Sequence, residues 1–290
     1  MRSMLADLKE LWRFRELLLA MVERELKIRY KNSALGFFWS LINPLATVLV
    51  MTLVFKVFLR NNTENFSAYV LAAYMPFMFI NLAIMDSAQS VIVALPVVKK
   101  IYFPREILPL SGVISNFIHL LLAFVVFFAY LLVVYVSTGF QDSPFTWKLL
   151  FLPFLLLVVL CFTTGAALLI SALNVFYEDV KYVVSVFLYL IFFLTPVMYF
   201  SENVFYALKD KPYGTLLYNL YHLNPVSVFA TTFKKTLVKP GQIEIGSLGK
   251  VDALPFNWYF FAYATLFSVG LLIFGYWTFN RMKWKFVERP

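Results

Sequence analysis

Arg29-Tyr30-Lys31-Asn32-Ser33-Ala34-Leu35-Gly36-Phe37-Phe38-Trp39 is the stretch on which the fold of this chain turns. Upstream of it, Asp7 to Lys31 is charged and amphipathic. Downstream, Gly36 to Leu59 is apolar, interrupted by Asn43-Pro44 and Lys56. A hydrocarbon core of about 30 Å takes ~20 apolar residues as helix, and the downstream segment supplies them. The order predicts a helix lying on the inner membrane surface that turns and enters the bilayer. A basic surface helix joined to a span points to a membrane machine with a partner docked on its cytoplasmic side.

Periodicity supports the surface helix. Leu8, Leu11, Trp12, Leu18, Leu19, Val22 and Leu26 fall on one stripe at helical spacing, with Lys9, Arg13, Glu23, Lys27 and Lys31 largely off it. Glu23 and Lys27 are placed to pair at i,i+4. The stripe suits an interfacial helix with its apolar face in the acyl boundary. The alternative is an amphipathic helix packed on a protein partner.

The whole chain is 61% hydrophobic and 14% charged, with a mean hydropathy of +0.77. Soluble domains carry about 25% charged residues, so this is a polytopic membrane protein. The formal charge of +9 invites a nucleic-acid reading. The basic residues instead cluster at the ends of apolar spans, where inner-leaflet anchoring places them, and no nucleic-acid partner is expected. Cys161, the single cysteine, sits in an apolar run, which rules out an intramolecular disulfide and argues against a metal cluster. The N-terminus mixes acidic and basic residues ahead of a late, long apolar run, unlike a cleavable signal.

The predicted fold is all-α: a surface helix and its turn over 1–35, then a six-span domain over 36–290. The spans read as about 36–59, 68–93, 107–135, 148–173, 183–200 and 257–280. Six spans put both termini on one side. The N-terminal segment, the second-to-third connection (Lys99, Lys100, Arg105), Lys181 and the tail (Arg281, Lys283, Lys285, Arg289) outweigh the opposite face in basic residues. Both termini are therefore expected in the cytoplasm. The stretch 201–257 is too long for a mere connection. Its apolar part, Tyr213 to Phe233, breaks at Leu223-Asn224-Pro225, which suits a pair of short re-entrant or interfacial helices. A polar, turn-rich run follows from Lys239-Pro240-Gly241 to Pro255.

No catalytic constellation stands out: the chain has no HExxH, no CxxC and no paired carboxylates within a span. Gly241-x4-Gly246-Ser247 has P-loop glycine spacing without the lysine and reads as turns. No cofactor is expected in this chain. Polar residues inside spans are costly against lipid. They gather as Asp86, Ser87, Gln89 and Ser90 on the second span, Ser111, Gly112, Ser115, Asn116 and His119 on the third, and Thr163, Thr164, Gly165, Ser171 and Asn174 on the fourth. The small residues suit close helix packing. Asp86 and His119 suit either a buried hydrogen-bonded pair or a channel-facing role. On the inside, Val97, Lys99, Lys100, Ile101, Tyr102, Phe103 and Pro104 read as part of a short basic-aromatic helix bounded by prolines. It reads either as a knob for a groove on a cytoplasmic partner, aromatics as anchors, or as an anchored loop. Outside, Tyr199, Tyr206, Tyr213, Tyr218 and Tyr221 exceed what one span end needs as an interfacial belt. Aromatic faces with polar tips suit a sliding contact with sugar rings.

Together these segments resemble the permease subunit of type-2 ABC exporters of lipid-linked polysaccharide, the O-antigen, capsule and teichoic-acid transporters. Arg29-Tyr30-Lys31-x3-Leu35-Gly36-x2-Trp39-x3-Asn43-Pro44 carries the likeness most strongly. Phe103-Pro104-Arg105-Glu106-Ile107-Leu108-Pro109, Asn174-Val175-Phe176-Tyr177-Glu178-Asp179-Val180, Thr195-Pro196-Val197-Met198-Tyr199 and Leu223-Asn224-Pro225 extend it. Many relatives have a basic residue where this chain has Glu178. The resemblance implies a homodimer in the bacterial plasma membrane with two copies of a separate ATPase that holds the ATP and magnesium. It also implies an undecaprenyl-linked polysaccharide as substrate. In its terms Leu35 and Gly36 belong to a gate loop, residues 97–104 couple to the ATPase, and the lipid pyrophosphate meets Arg24, Lys27, Arg29 or Lys31. A type-2 exporter of drugs or small lipids is the nearest alternative. A membrane-embedded glycosyltransferase or polymerase, with Glu178 and Asp179 as its acidic pair, is the alternative of another class.

Overall fold

The computed structural model describes residues 4–30, 42, 45–47, 49–50, 53–58, 65–137, 147–239, 242–245 and 249–288. The order is α1 (Met4–Arg13), α2 (Arg15–Tyr30), a π-helical piece Leu53–Phe58, α3 (Phe66–Val98), α4 (Ile107–Ser137), α5 (Leu152–Phe176), α6 (Val180–Leu194), α7 (Ser201–Lys209), α8 (Gly214–Tyr221), α9 (Pro225–Leu237), β1 (Gln242–Ile245), β2 (Gly249–Asp252) and α10 (Trp258–Met282). One-turn helices Trp147–Phe151 and Lys283–Glu288 extend α5 and α10.

Among the described residues, four helical segments are long and apolar enough to cross a membrane: Phe66–Val98, Ile107–Val136, Trp147–Phe176 and Trp258–Phe286. They correspond to the second, third, fourth and sixth predicted spans. Half of the first lies outside the described residues. The helix α6 falls on the fifth: it has 15 residues, too few to count with these four, and ends at Leu194, because Thr195 turns extended ahead of Pro196. The fold is not purely helical either. Inside the stretch read as turns, β1 and β2 pair antiparallel, Ile245 opposite Gly249.

The helix α3 is central. Of its most apolar stretch 72% is buried, against 22% for that of α4 and of α10. The closest contact joins α5 to α10. A Cβ placed on Gly165 would stand 2.6 Å from the Leu271 backbone, and one on Gly275 would run into the Gly165 carbonyl. Side chains there would force the helices apart, so two glycines let the backbones touch.

At one end of the bundle Val91, Val98, Phe103, Leu168, Phe279 and Phe286 form a second core. Leu11, Phe14, Leu17 and Met21 pack on it from α1 and α2. The N-terminal helices thus set Phe14, Leu17 and Met21, which are off the predicted stripe, against protein, while Trp12 and Leu19 on the stripe stay exposed. The cause is the protein surface underneath, which periodicity alone cannot see. Phe176 meets Phe286 here too, at 5.9 Å between ring centroids. The N-terminal helices, the α3–α4 connection, the start of α6 and the tail therefore share one end, as their common charge suggested.

Candidate functional site

The surface helix, α3 and α4 enclose a cleft of about 620 Å³. Arg24 and Arg29 reach it from α2, Asp86, Gln89 and Ser90 from α3, and Ser111 and Gly112 from α4. Arg29 organises it. Its Nη2 donates to Asp86 Oδ2 at 2.7 Å, and its Nη1 donates to Asn116 Oδ1 at 3.1 Å. Asn116 Nδ2 donates in turn to Asp86 Oδ2 at 2.8 Å and to the Gly112 carbonyl at 2.8 Å. The planar guanidinium fork bridges two spans in a way an ammonium cannot. Asp86 thus takes Arg29 and Asn116 as direct partners, and His119 lies within electrostatic reach of the Arg29–Asp86 pair. Arg24 sits 3.7 Å from Glu25 and is more than half exposed. Lys27 turns away from the cleft to Glu23, 2.5 Å off. Lys31, Leu35 and Gly36 lie outside the described residues. Of the four basic candidates, Arg24 and Arg29 share one cavity wall: two guanidiniums able to take a polyanionic headgroup.

Residues 97–104 do not make a separate helix. Pro96 sits in the last turn of α3, where little of the hydrogen-bond ladder is left to break, and the helix runs on to Val98. Lys99 N still donates to the Leu95 carbonyl at 3.0 Å. Val97, Lys99, Lys100, Ile101 and Tyr102 are exposed, whereas Phe103 and Pro104 are buried. Phe103 anchors the loop in the second core, which leaves the outer five as the face a partner can reach. Tyr102 Oη donates to Glu10 Oε1 at 2.7 Å, tying the loop to α1.

At the opposite end four of the five singled-out tyrosines converge. Tyr206 packs on Phe205, Phe205 on Tyr218, Tyr218 on His222 (4.4 Å between centroids) and His222 on Tyr221. The Tyr221 and Tyr199 hydroxyls meet at 3.0 Å. Tyr213 stands apart, exposed, with a φ of 64° in the turn before α8. Burial pushes the Tyr218 hydroxyl up to about 12, with Glu202 adding to it, and burial likewise pushes Tyr221 up. Both stay neutral donors. A cavity of about 400 Å³ opens beside them, walled by Phe205, Tyr218, Phe256, Trp258 and Phe260.

Sequence reasoning missed the charges beneath this cluster. Asn224 caps α9, its Oδ1 accepting from Val226 N at 3.1 Å. That start directs Lys234 and Lys235 inward. Lys235 Nζ lies 3.0 Å from Glu202 Oε1 and donates to the Leu254 carbonyl at 2.8 Å. Burial alone would raise the Glu202 carboxyl, but the charge and hydrogen bond of Lys235 outweigh it and hold it low. Lys234 donates to the Tyr199 carbonyl at 2.8 Å, and burial brings its ammonium down to about 7 against a partial opposing pull from Glu202. A lysine depressed in the folded state binds fewer protons there than in the unfolded chain. Stability should therefore rise as pH climbs from about 7 towards the ordinary lysine value of ~10.4. Thermal unfolding in detergent should show a midpoint rising across that window. Lys234→Met should flatten the rise, and an unchanged slope would remove Lys234 as its source.

Likenesses to known proteins bear on these sites. The ABC-2 type transporter family matches residues 16–237. An O-antigen export system permease protein, RfbA, of Myxococcus xanthus is 34% identical over 231 residues, covering 80% of this chain and 84% of its own. Two proteins of that name from Klebsiella pneumoniae are 27% identical over 274 residues and 25% over 273, each match covering 94% of both chains.

Proposed function

Because the chain belongs to the ABC-2 type transporter family, we propose that it works as the permease of an O-antigen exporter, building the membrane path while a separate cytoplasmic ATPase supplies the energy. The observation that carries this reading is likeness to O-antigen export permeases along nearly the whole chain. Those relatives favour polysaccharide over drugs or small lipids, and a transport subunit over a glycosyltransferase.

In this reading two copies form the channel in the bacterial plasma membrane and each binds one ATPase at residues 97–102. The end that gathers the N-terminal helices, the α3–α4 loop and the tail faces the cytoplasm, supported by its concentration of basic residues. An undecaprenyl pyrophosphate headgroup enters the cleft between α2, α3 and α4. Arg24 and Arg29 receive its charge, and Gln89 and Ser90 offer hydrogen bonds from the far wall. The polymer then leaves past the external aromatic cluster, whose neutral tyrosine hydroxyls bond sugars without holding them by charge. Leu35 and Gly36 form the turn at the inner mouth.

Deleting the gene should strip O-antigen from the cell surface and leave lipid-linked polymer inside, and the intact chain should restore export. Normal surface polymer in the deletion strain would overturn the assignment.

A further inference from the structure

Glu106 opens α4, buried to 1% side-chain exposure, with Lys283 Nζ 2.6 Å from its Oε1. The other oxygen, Oε2, is buried and finds no hydrogen-bond partner among the described residues. Lys283 itself is 11% exposed. The Arg105 guanidinium donates to the Lys283 carbonyl, and both Arg105 and Lys283 lie over the Trp284 ring, at 5.9 and 5.6 Å. Two neighbouring residues of the loop thus grip one residue at the end of the last span, 177 positions away.

This is an inefficient way to stabilise a fold. Desolvating an ammonium and a carboxylate costs several kcal/mol each, and well-packed apolar residues of similar volume commonly do as well or better. A carboxylate with one oxygen unsatisfied is a further cost. What the pair does supply is direction and reach, because an ion pair resists separation where an apolar contact slides. On the far side of Lys283 the Gly165–Gly275 contact joins α10 to α5, backbone on backbone.

We infer that Glu106 and Lys283, assisted by Arg105, are positioning residues that clasp the α3–α4 loop to the last span, so that a push on the loop moves α10, and α5 with it. The inference rests on the loop being the ATPase contact. It adds that the stroke is delivered to α10, and through the Gly165–Gly275 contact to α5, as well as to α3 and α4 on which the loop is strung.

The test uses the permease co-purified with its ATPase and, in parallel, cells expressing each variant at matched membrane levels. Glu106→Leu with Lys283→Met removes the clasp while keeping the volume apolar. The expected result is a complex that assembles, resists heat and hydrolyses ATP as before, but exports roughly tenfold less polymer per ATP. Glu106→Asp, which keeps the charge, should regain most of that ratio. An unchanged ratio in the double variant would overturn the clasp. So would losses of export and hydrolysis that merely track the amount of assembled complex, as a purely structural pair would give. The ATPase contact is read separately, from ATPase retained by Ile101→Ala with Tyr102→Ala. A failure of docking appears there, and a failure of the clasp appears only in the ratio.

Discussion

Ile101→Ala with Tyr102→Ala is expected to release the ATPase and abolish surface O-antigen while the permease stays folded. The two side chains are 63% and 62% exposed, so truncating them opens no cavity. Aromatic anchors at protein interfaces are worth about 2 kcal/mol or more when cut to alanine, enough to weaken binding roughly thirtyfold for one such loss. Tyr102→Phe is the control. It drops only the exposed hydrogen bond to Glu10, worth about 1 kcal/mol or less, and should keep the ATPase. Phe103→Ala should behave differently, since that ring is 6% exposed in the second core. Its loss should cost the fold about 3 kcal/mol and lower the yield of intact permease. ATPase pull-down at matched permease levels reads all four substitutions. Full retention by the Ile101–Tyr102 double variant would remove the loop as the docking face.

Arg29→Gln is expected to cut O-antigen export at least tenfold, with Arg24→Gln and Lys27→Gln doing less. Arg29 alone combines a place on the cleft wall with a bridge to both α3 and α4. Its pair with Asp86 is about two-fifths exposed, so solvent limits its worth to stability to roughly 1 kcal/mol and the variant should still insert. Arg29→Lys keeps a charge for the headgroup but not the fork that reaches Asp86 and Asn116 together, and should fall between. Raising the supply of lipid-linked polymer should partly restore Arg29→Gln if headgroup capture is what was lost. Lys27 already pairs with Glu23 on the outer face. An equal loss from Lys27→Gln would show that surface charge matters and the cleft does not.

The spans were legible where hydropathy alone decides. The predicted 107–135 and 257–280 are α4 and α10 to within a few residues, because lipid-facing helices must be apolar throughout. The end of α3 was misjudged for a local reason: Pro96 reads as a boundary, yet a proline in a last turn breaks few bonds. That α1 and α2 also set Phe14 and Met21 against protein was not legible, because a stripe of leucines does not say what lies beneath the neighbouring face. Long-range ion pairs were the least legible. Arg29, Glu106 and Lys235 could be marked as charges needing partners, but Asp86, Lys283 and Glu202 become those partners only through packing. One signal was available for Glu106 and Lys283: opposite charges on two segments that charge counting had already put on the same face.

The brevity of α6 falls on the backbone that follows it. Fifteen residues rise about 22 Å, some 8 Å short of the ~30 Å hydrocarbon slab. Among its residues Leu188 alone is buried, so the helix has little protein to hide the shortfall behind. The residues that follow it, Thr195, Pro196 and Val197, are by contrast all buried. Non-helical backbone at membrane depth is tolerated only inside protein, so it is this buried turn, and not a thinned bilayer, that can make up the difference.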